Sequence, residues 1–139
     1  MLTEVSFTAT FAVDITPELV AYHVAHWVTI RLIERGHSCS DLENIDYGYA
    51  FRCRVGSRDF YLIVGYVGDH EQEWIIIIHN GLSFLQRLFR QQSLHEYRQL
   101  TQDLHAILTA EAKTSNIRWY VGEGARQNSS DDWTSSPSL

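Results

Sequence analysis

The first stretch of the chain alternates between apolar and small polar side chains. From Val5 to Val13 every second residue is apolar, and Ser or Thr fills most of the positions between them. Successive side chains of a strand point to opposite faces, so this period of two indicates a strand with one buried face. We therefore predict a first β-strand here.

A broadly buried helix is predicted next. Thr16 can cap free amides, and Pro17 suits the first helical position, where its missing N–H costs nothing. Gly36 can adopt the left-handed conformation that ends a helix. Between them, two adjoining apolar stripes run at helical spacing. The first contains Val20, Val24, Trp27 and Val28, and the second contains Leu19, His23, His26, Ile30 and Ile33.

Residues 45–67 return to alternation around Gly56-Ser57, a dipeptide suited to a two-residue hairpin turn. If Val55 faces Arg58, an apolar face follows with these pairs: Cys53 with Phe60, Phe51 with Leu62, Tyr49 with Val64, and Tyr47 with Tyr66. The same register pairs Arg54 with Asp59 on the opposite face. Charge and hydrophobic pattern thus predict one hairpin register.

The remaining elements complete an α+β pattern. Trp74–Ile78 is an uninterrupted apolar run, typical of a central strand covered on both faces. Leu82–Phe89 predicts a short helix, and the capping box Ser93–Glu96 begins a long helix that ends near Lys113. Ile117–Val121 alternates as a last strand. The order β-α-β-β-β-α-α-β predicts a mainly antiparallel sheet of about five strands with helices packed on one face.

The last segment differs in composition from the rest. Residues 123–139 are rich in Ser, Asn, Asp and Gly and contain a lone Trp133. Such a polar stretch without periodicity cannot bury enough apolar surface to order itself. We predict a single domain over residues 1–122 and a disordered polar tail over 123–139. One hypothesis is that a partner protein docks on Asp131-Asp132-Trp133 in this tail.

Charge and cysteine content narrow the expected partners and compartment. The formal net charge of −6 repels phosphate backbones and anionic lipids, so we expect no nucleic-acid or membrane partner. The N-terminus lacks the basic start of a signal peptide. Cys39, in a predicted exposed loop, and Cys53, in a predicted core position, do not form a disulfide framework. A reducing, cytoplasmic location is expected.

The histidines suggest an alternative function, in which the protein is an enzyme or binds a metal ion. The chain lacks a phosphate-binding glycine loop, a nucleophile elbow, a Cys-x-x-Cys pair and a zincin helix. His23 and His26 lie three apart on the first helix, and imidazole is a common zinc ligand. One hypothesis is therefore a small-ligand or metal-dependent enzyme with a pocket between the sheet and the first helix, using His23, His26 and His79. The alternative is that His23 and His26 border a buried stripe, that His37 is solvated, and that the protein needs no cofactor.

The leading hypothesis places a binding surface on the second face of the sheet. The candidate residues of this partner face are Arg52, Arg54, Tyr61, Ile63 and Val67. If every helix lies on the other face, apolar side chains here remain in water, and large apolar patches mark partner sites. Alternatively, the first helix or the Leu82–Phe89 helix covers them. We predict a small acidic protein-binding module of the adaptor, secretion-chaperone or toxin-neutralising kind, without catalysis, acting on a protein partner or as a homodimer.

Overall fold

The structure is a computed structural model that describes residues 2–9, 17–46, 48–66, 73–79, 94–121 and 133–137. In chain order the elements are β1 (Leu2–Ala9), α1 (Pro17–Glu34), β2 (Ser38–Cys39), β3 (Glu43–Ile45), β4 (Gly48–Val55), β5 (Arg58–Tyr66), β6 (Glu73–His79), α2 (Leu94–Ala110), β7 (Thr114–Val121) and β8 (Trp133–Thr134). The short helix predicted at Leu82–Phe89 and the cap predicted at Ser93 lie outside the described residues.

The strands form one antiparallel sheet in the order β2-β4-β5-β6-β1-β7-β8, with β3 beside β4. The predicted α+β class is confirmed, and β6 is central as expected. The predicted number of about five strands is too low, because the described residues already form eight. The additional strands β2, β3 and β8 span only two or three residues each. Strands this short cannot display a period of two in the sequence.

The β4–β5 hairpin has the predicted register. Its pairs run from Val55 with Arg58 to Gly48 with Gly65. Gly56 in the turn has a φ of 61°, in the left-handed region that glycine adopts without strain. The predicted pair of Tyr47 with Tyr66 cannot be compared, because Tyr47 lies outside the described residues.

Both described helices pack on one face of the sheet, as predicted. Helix α1 ends at Glu34, and Gly36 follows with the expected positive φ, 94°. The two helices and the strands bury one apolar core between them. Its main contributors are Val24, Val28 and Leu32 from α1, Leu100, Leu104 and Leu108 from α2, and Phe7, Phe51, Leu62, Ile76 and Trp119 from the strands.

Residues 133–137 belong to the segment predicted as a tail. Within it, Trp133 and Thr134 pair with Tyr120 and Trp119 as strand β8. The Arg118 guanidinium lies 4.7 Å from the centroid of the Trp133 ring, a cation–π contact. The division into a domain and a disordered tail stays a prediction. Asp131 and Asp132 lie outside the described residues.

A side-chain hydrogen bond joins α2 to β7. The indole N–H of Trp119 donates to Nδ1 of His105 at 3.2 Å. Nδ1 can accept this bond only when it carries no proton, so the contact requires a neutral imidazole. Burial also lowers the pKa of His105 from its ordinary value of 6.5.

This pair predicts a loss of stability in acid. Below about pH 6.5, His105 in the unfolded chain binds a proton that the folded protein resists, so acidification favours unfolding. The variant His105→Gln retains an acceptor for Trp119 but does not titrate. We expect its free energy of unfolding, measured with urea at several pH values, to fall less on acidification than that of the wild type. Equal slopes would contradict this role of His105.

Candidate functional site

The structure brings together four of the five residues predicted for the partner face. Arg52, Arg54, Tyr61 and Ile63 lie on the face opposite to the helices, with Arg52 directly across from Tyr61. Val67 lies outside the described residues. Side chains on this face also contact each other: Arg54 Nε lies 3.9 Å from Asp59 Oδ1, and the Tyr61 hydroxyl donates to Glu43 Oε2 at 3.4 Å.

The apolar part of this face is buried, so it does not form the patch in water that one of the two alternatives predicted. Ala50, Ile75 and Ile77 are all less than a tenth exposed, and half-buried Ile63 packs against the two isoleucines. Helix α1 does not cover them, since it lies on the other face. Exposed charged side chains on the second face include Arg52 and Arg54 near the β4–β5 turn and Glu73 at the start of β6.

The histidines of the alternative hypothesis are exposed and do not converge. His23 and His26 project from α1, where the Tyr22 ring stacks on His26 with a centroid distance of 5.7 Å and an interplanar angle of 8°. His79 ends β6 on the opposite face of the sheet, beside Tyr61. Within the described ranges, no three His, Cys, Asp or Glu side chains are grouped closely enough to bind a metal ion.

A cleft of about 240 Å³ lies between α1 and α2, not between the sheet and α1 as predicted for a pocket. Trp27 and Ile107 provide apolar walls, and Arg31, Glu34, Arg35, Ala110 and Glu111 complete its lining. His23, His26 and His79 are not part of this lining. The cleft thus gives no support to a histidine-lined enzyme site.

The outer side of α1 is an exposed apolar stripe. Tyr22 and Ile30 are each 39% exposed and Ile33 is 50% exposed. With His26 they occupy positions 22, 26, 30 and 33, which fall on one side of a helix with 3.6 residues per turn. We call these four residues the α1 stripe. The prediction that α1 is broadly buried is wrong on this side, since only the side with Val24, Val28 and Leu32 faces the core.

An acidic segment lies beside the N-terminal end of the α1 stripe. The rings of Tyr22 and Tyr49 meet edge to face at 5.4 Å, and Asn44 Nδ2 donates to the Tyr49 hydroxyl at 3.3 Å. The segment around Asn44 also carries the exposed carboxylates of Asp41 and Asp46, whereas Glu43 contacts Tyr61 on the second face of the sheet. Aromatic, apolar and acidic groups are thus contiguous on this surface.

A partly buried polar cluster joins the residues after α1 to α2. His37 Nε2 lies 2.5 Å from Asp103 Oδ2, Arg35 Nη1 lies 3.3 Å from Oδ1, and Gln99 Nε2 donates to Oδ2 at 3.0 Å. The side chains of His37 and Asp103 are 8% and 9% exposed, so the expectation of a solvated His37 is wrong. The burial of Asp103 could have been predicted from the sequence, because position 103 falls beside Leu100 and Leu104 on the apolar side of α2.

The remaining findings concern membrane spans and similarity to known proteins. No helix in the described part of the chain is long and apolar enough to cross a membrane. No protein-family model matches the chain, and the searches found no match among curated proteins or solved structures.

Proposed function

We propose that this protein is an acidic protein-binding module whose α1 stripe docks a basic, amphipathic helix of a partner protein. The observation that carries the proposal is the position of the exposed large apolar side chains. Three of them, Tyr22, Ile30 and Ile33, lie on one side of a single helix. A helix with apolar side chains on two sides is normally enclosed by other elements, and the described elements cover only the side of α1 that faces the sheet and α2.

The composition of the α1 stripe suits a protein interface. Interfaces are enriched in aromatic residues at their centres. Apolar side chains that form a continuous exposed patch mark partner sites, whereas scattered ones are common on any protein surface. Tyr22 is fixed by ring contacts with His26 and Tyr49, so little conformational freedom is lost when a partner covers it. An apolar partner surface would complete the burial of α1.

Charge selects the class of partner. The net charge of −6 and the exposed carboxylates of Asp41 and Asp46 attract cationic surfaces. Two copies of the same acidic chain repel each other, which disfavours self-association. A partner helix with leucine-like side chains on one face and Lys or Arg on its flanks matches both features.

The second face of the sheet is the competing surface for the same function. Its exposed end offers Arg52, Arg54 and Tyr61, but Arg54 lies near Asp59 and Tyr61 bonds to Glu43. Its apolar residues Ala50, Ile75 and Ile77 are buried. A partner there would meet mainly charged groups, so the exposed apolar area favours the α1 stripe.

A designed peptide tests the proposal. The probe is a fluorescent helical peptide with leucines on one face and lysines on the other, and binding is followed by fluorescence anisotropy at about 0.15 M salt. We expect the double variant Ile30→Asp/Ile33→Asp to bind at least about tenfold more weakly than the wild type. The added carboxylates raise the negative charge, so purely electrostatic attraction would give tighter binding, the opposite result.

Matched controls separate the two surfaces. Arg52→Glu changes an exposed residue on the second face and should leave the affinity within about twofold of the wild type. Loss of binding by Arg52→Glu but not by the stripe variant would move the site to the sheet. Sedimentation equilibrium tests a third outcome. If the wild type is a dimer and the stripe variant is a monomer, the α1 stripe binds a second copy of the chain.

A further inference from the structure

The two cysteines are direct neighbours across the sheet edge. Strands β2 and β4 pair Cys39 with Cys53, and both are free thiols. Both side chains face the helices, where Cys39 Sγ lies 4.0 Å from the carbonyl oxygen of Thr29 in α1. The sequence predicted Cys39 in an exposed loop, whereas the structure places it half-buried in strand β2.

The backbone pairing fixes which kind of neighbours they are. The N–H of Ser40 donates to the carbonyl oxygen of Arg52 at 2.9 Å, so Ser40 and Arg52 are a hydrogen-bonded pair. Hydrogen-bonded and non-hydrogen-bonded pairs alternate along an antiparallel ladder, so Cys39 and Cys53 are a non-hydrogen-bonded pair. Such pairs have Cα atoms roughly 4.5 Å apart, within the ~4.4–6.8 Å that a disulfide spans.

The two thiols differ in their surroundings. Cys39 is half-buried, and Cys53 is fully buried. A hydrogen bond from Cys53 lowers the pKa of Cys39, while the contact with Cys39 and burial raise the pKa of Cys53. Cys39 is therefore the thiol that ionises first and can be reached first, and Cys53 is placed to react with it second.

We propose that Cys39 and Cys53 form a thiol–disulfide site that is oxidised by hydrogen peroxide. The Cys39 thiolate attacks one peroxide oxygen, the O–O bond breaks, and a sulfenic acid forms on Cys39 as hydroxide leaves and takes up a proton. Cys53 then attacks that sulfur, its own proton is lost, and the S–O bond breaks to release water. Overall, the two thiols give two electrons and two protons to the peroxide, which becomes two waters.

Intact-mass measurement and peptide mapping of the folded wild type test this site. Treatment with hydrogen peroxide should make the protein lighter by two hydrogen atoms and yield one non-reduced peptide joining Cys39 to Cys53. Dithiothreitol should restore both thiols. The proposal is wrong if both thiols survive, if only disulfides between molecules form, or if sulfur–oxygen adducts accumulate without the joined peptide.

Two variants assign the order of reaction. In Cys53→Ala the sulfenic acid cannot be resolved, so dimedone should label Cys39. In Cys39→Ser the buried Cys53 should lose its thiol at least about tenfold more slowly than the wild type. Equal reactivity of Cys53 in that variant, with native circular dichroism, would overturn the assigned roles. The site is independent of the proposed partner binding, and binding by the α1 stripe can fail without affecting it.

Discussion

Replacing Asp103 by Ala is expected to lower the free energy of unfolding by about 3 kcal/mol. The Asp103 carboxylate lies within hydrogen-bond distance of groups on His37, Arg35 and Gln99, at 2.5, 3.3 and 3.0 Å. Alanine would leave the buried His37 imidazole without this partner and would remove the link between the end of α1 and α2. Removing Asp103 is costly because the buried His37 imidazole stays desolvated, whereas Arg35 and Gln99 remain in contact with water.

Urea unfolding followed by circular dichroism measures this effect, and Asp59 provides the matched control. Asp59 lies 3.9 Å from Arg54, and both side chains are more than half exposed. Exposed ion pairs contribute little, so Asp59→Ala should change stability by no more than about 0.5 kcal/mol. If the two variants lose the same stability, the Asp103 cluster does not hold α1 to α2.

Replacing Gly48 by Ala is expected to cost about 3 kcal/mol, at the upper end of the usual range for overpacking. A Cβ atom built on Gly48 would lie 2.0 Å from the carbonyl oxygen of Val64 and 2.8 Å from Cα of Gly65. Both contacts are with backbone, so no side-chain rotation can relieve them. Strands β4 and β5 would have to separate at this end of the hairpin.

Gly36→Ala is the control for this prediction. Gly36 has a φ of 94°, which strains any residue with a Cβ, but no atom lies within 4 Å of the added group. We expect a loss of about 1 kcal/mol from backbone strain alone. Thermal and urea unfolding of both variants give the comparison, and a smaller loss for Gly48→Ala than for Gly36→Ala would contradict the close approach at Gly48.

Features that depend on neighbouring residues could be predicted from the sequence. The hairpin register followed from charge and apolar alternation around Gly56, and both patterns selected the pairs that the structure contains. The central position of β6 followed from its unbroken apolar run. Gly36 marked the end of α1. In each case, the pattern within one or two elements was sufficient.

Features that depend on distant residues could not be predicted in the same way. Helix α1 carries two adjoining apolar stripes, so its sequence does not indicate which one faces the sheet, and Ile30 and Ile33 of the second stripe were predicted to be buried. The contact of His37 with Asp103 joins residues 66 positions apart. The pairing of Cys39 with Cys53 depends on the path of the chain after α1, because β2 has only two residues.

The predicted partner face shows the same limit. Four of its five residues, Arg52, Arg54, Tyr61 and Ile63, lie together because they belong to one hairpin, and Val67 lies outside the described residues. The burial of Ile75 and Ile77 on that face agrees with the unbroken apolar run of β6, but the run does not reveal which element covers them. Binding through Arg52, Arg54, Tyr61, Ile63 and Val67 stays a prediction.

The most direct test of the central claim is an NMR titration of the isotope-labelled full-length protein with the leucine–lysine peptide. If α1 is the docking helix, amide shifts should change most at and around Tyr22, His26, Ile30 and Ile33, with smaller changes near Asp41–Asp46. Shifts confined to the second face of the sheet, around Arg52 and Tyr61, would contradict the account and assign partner binding to that face.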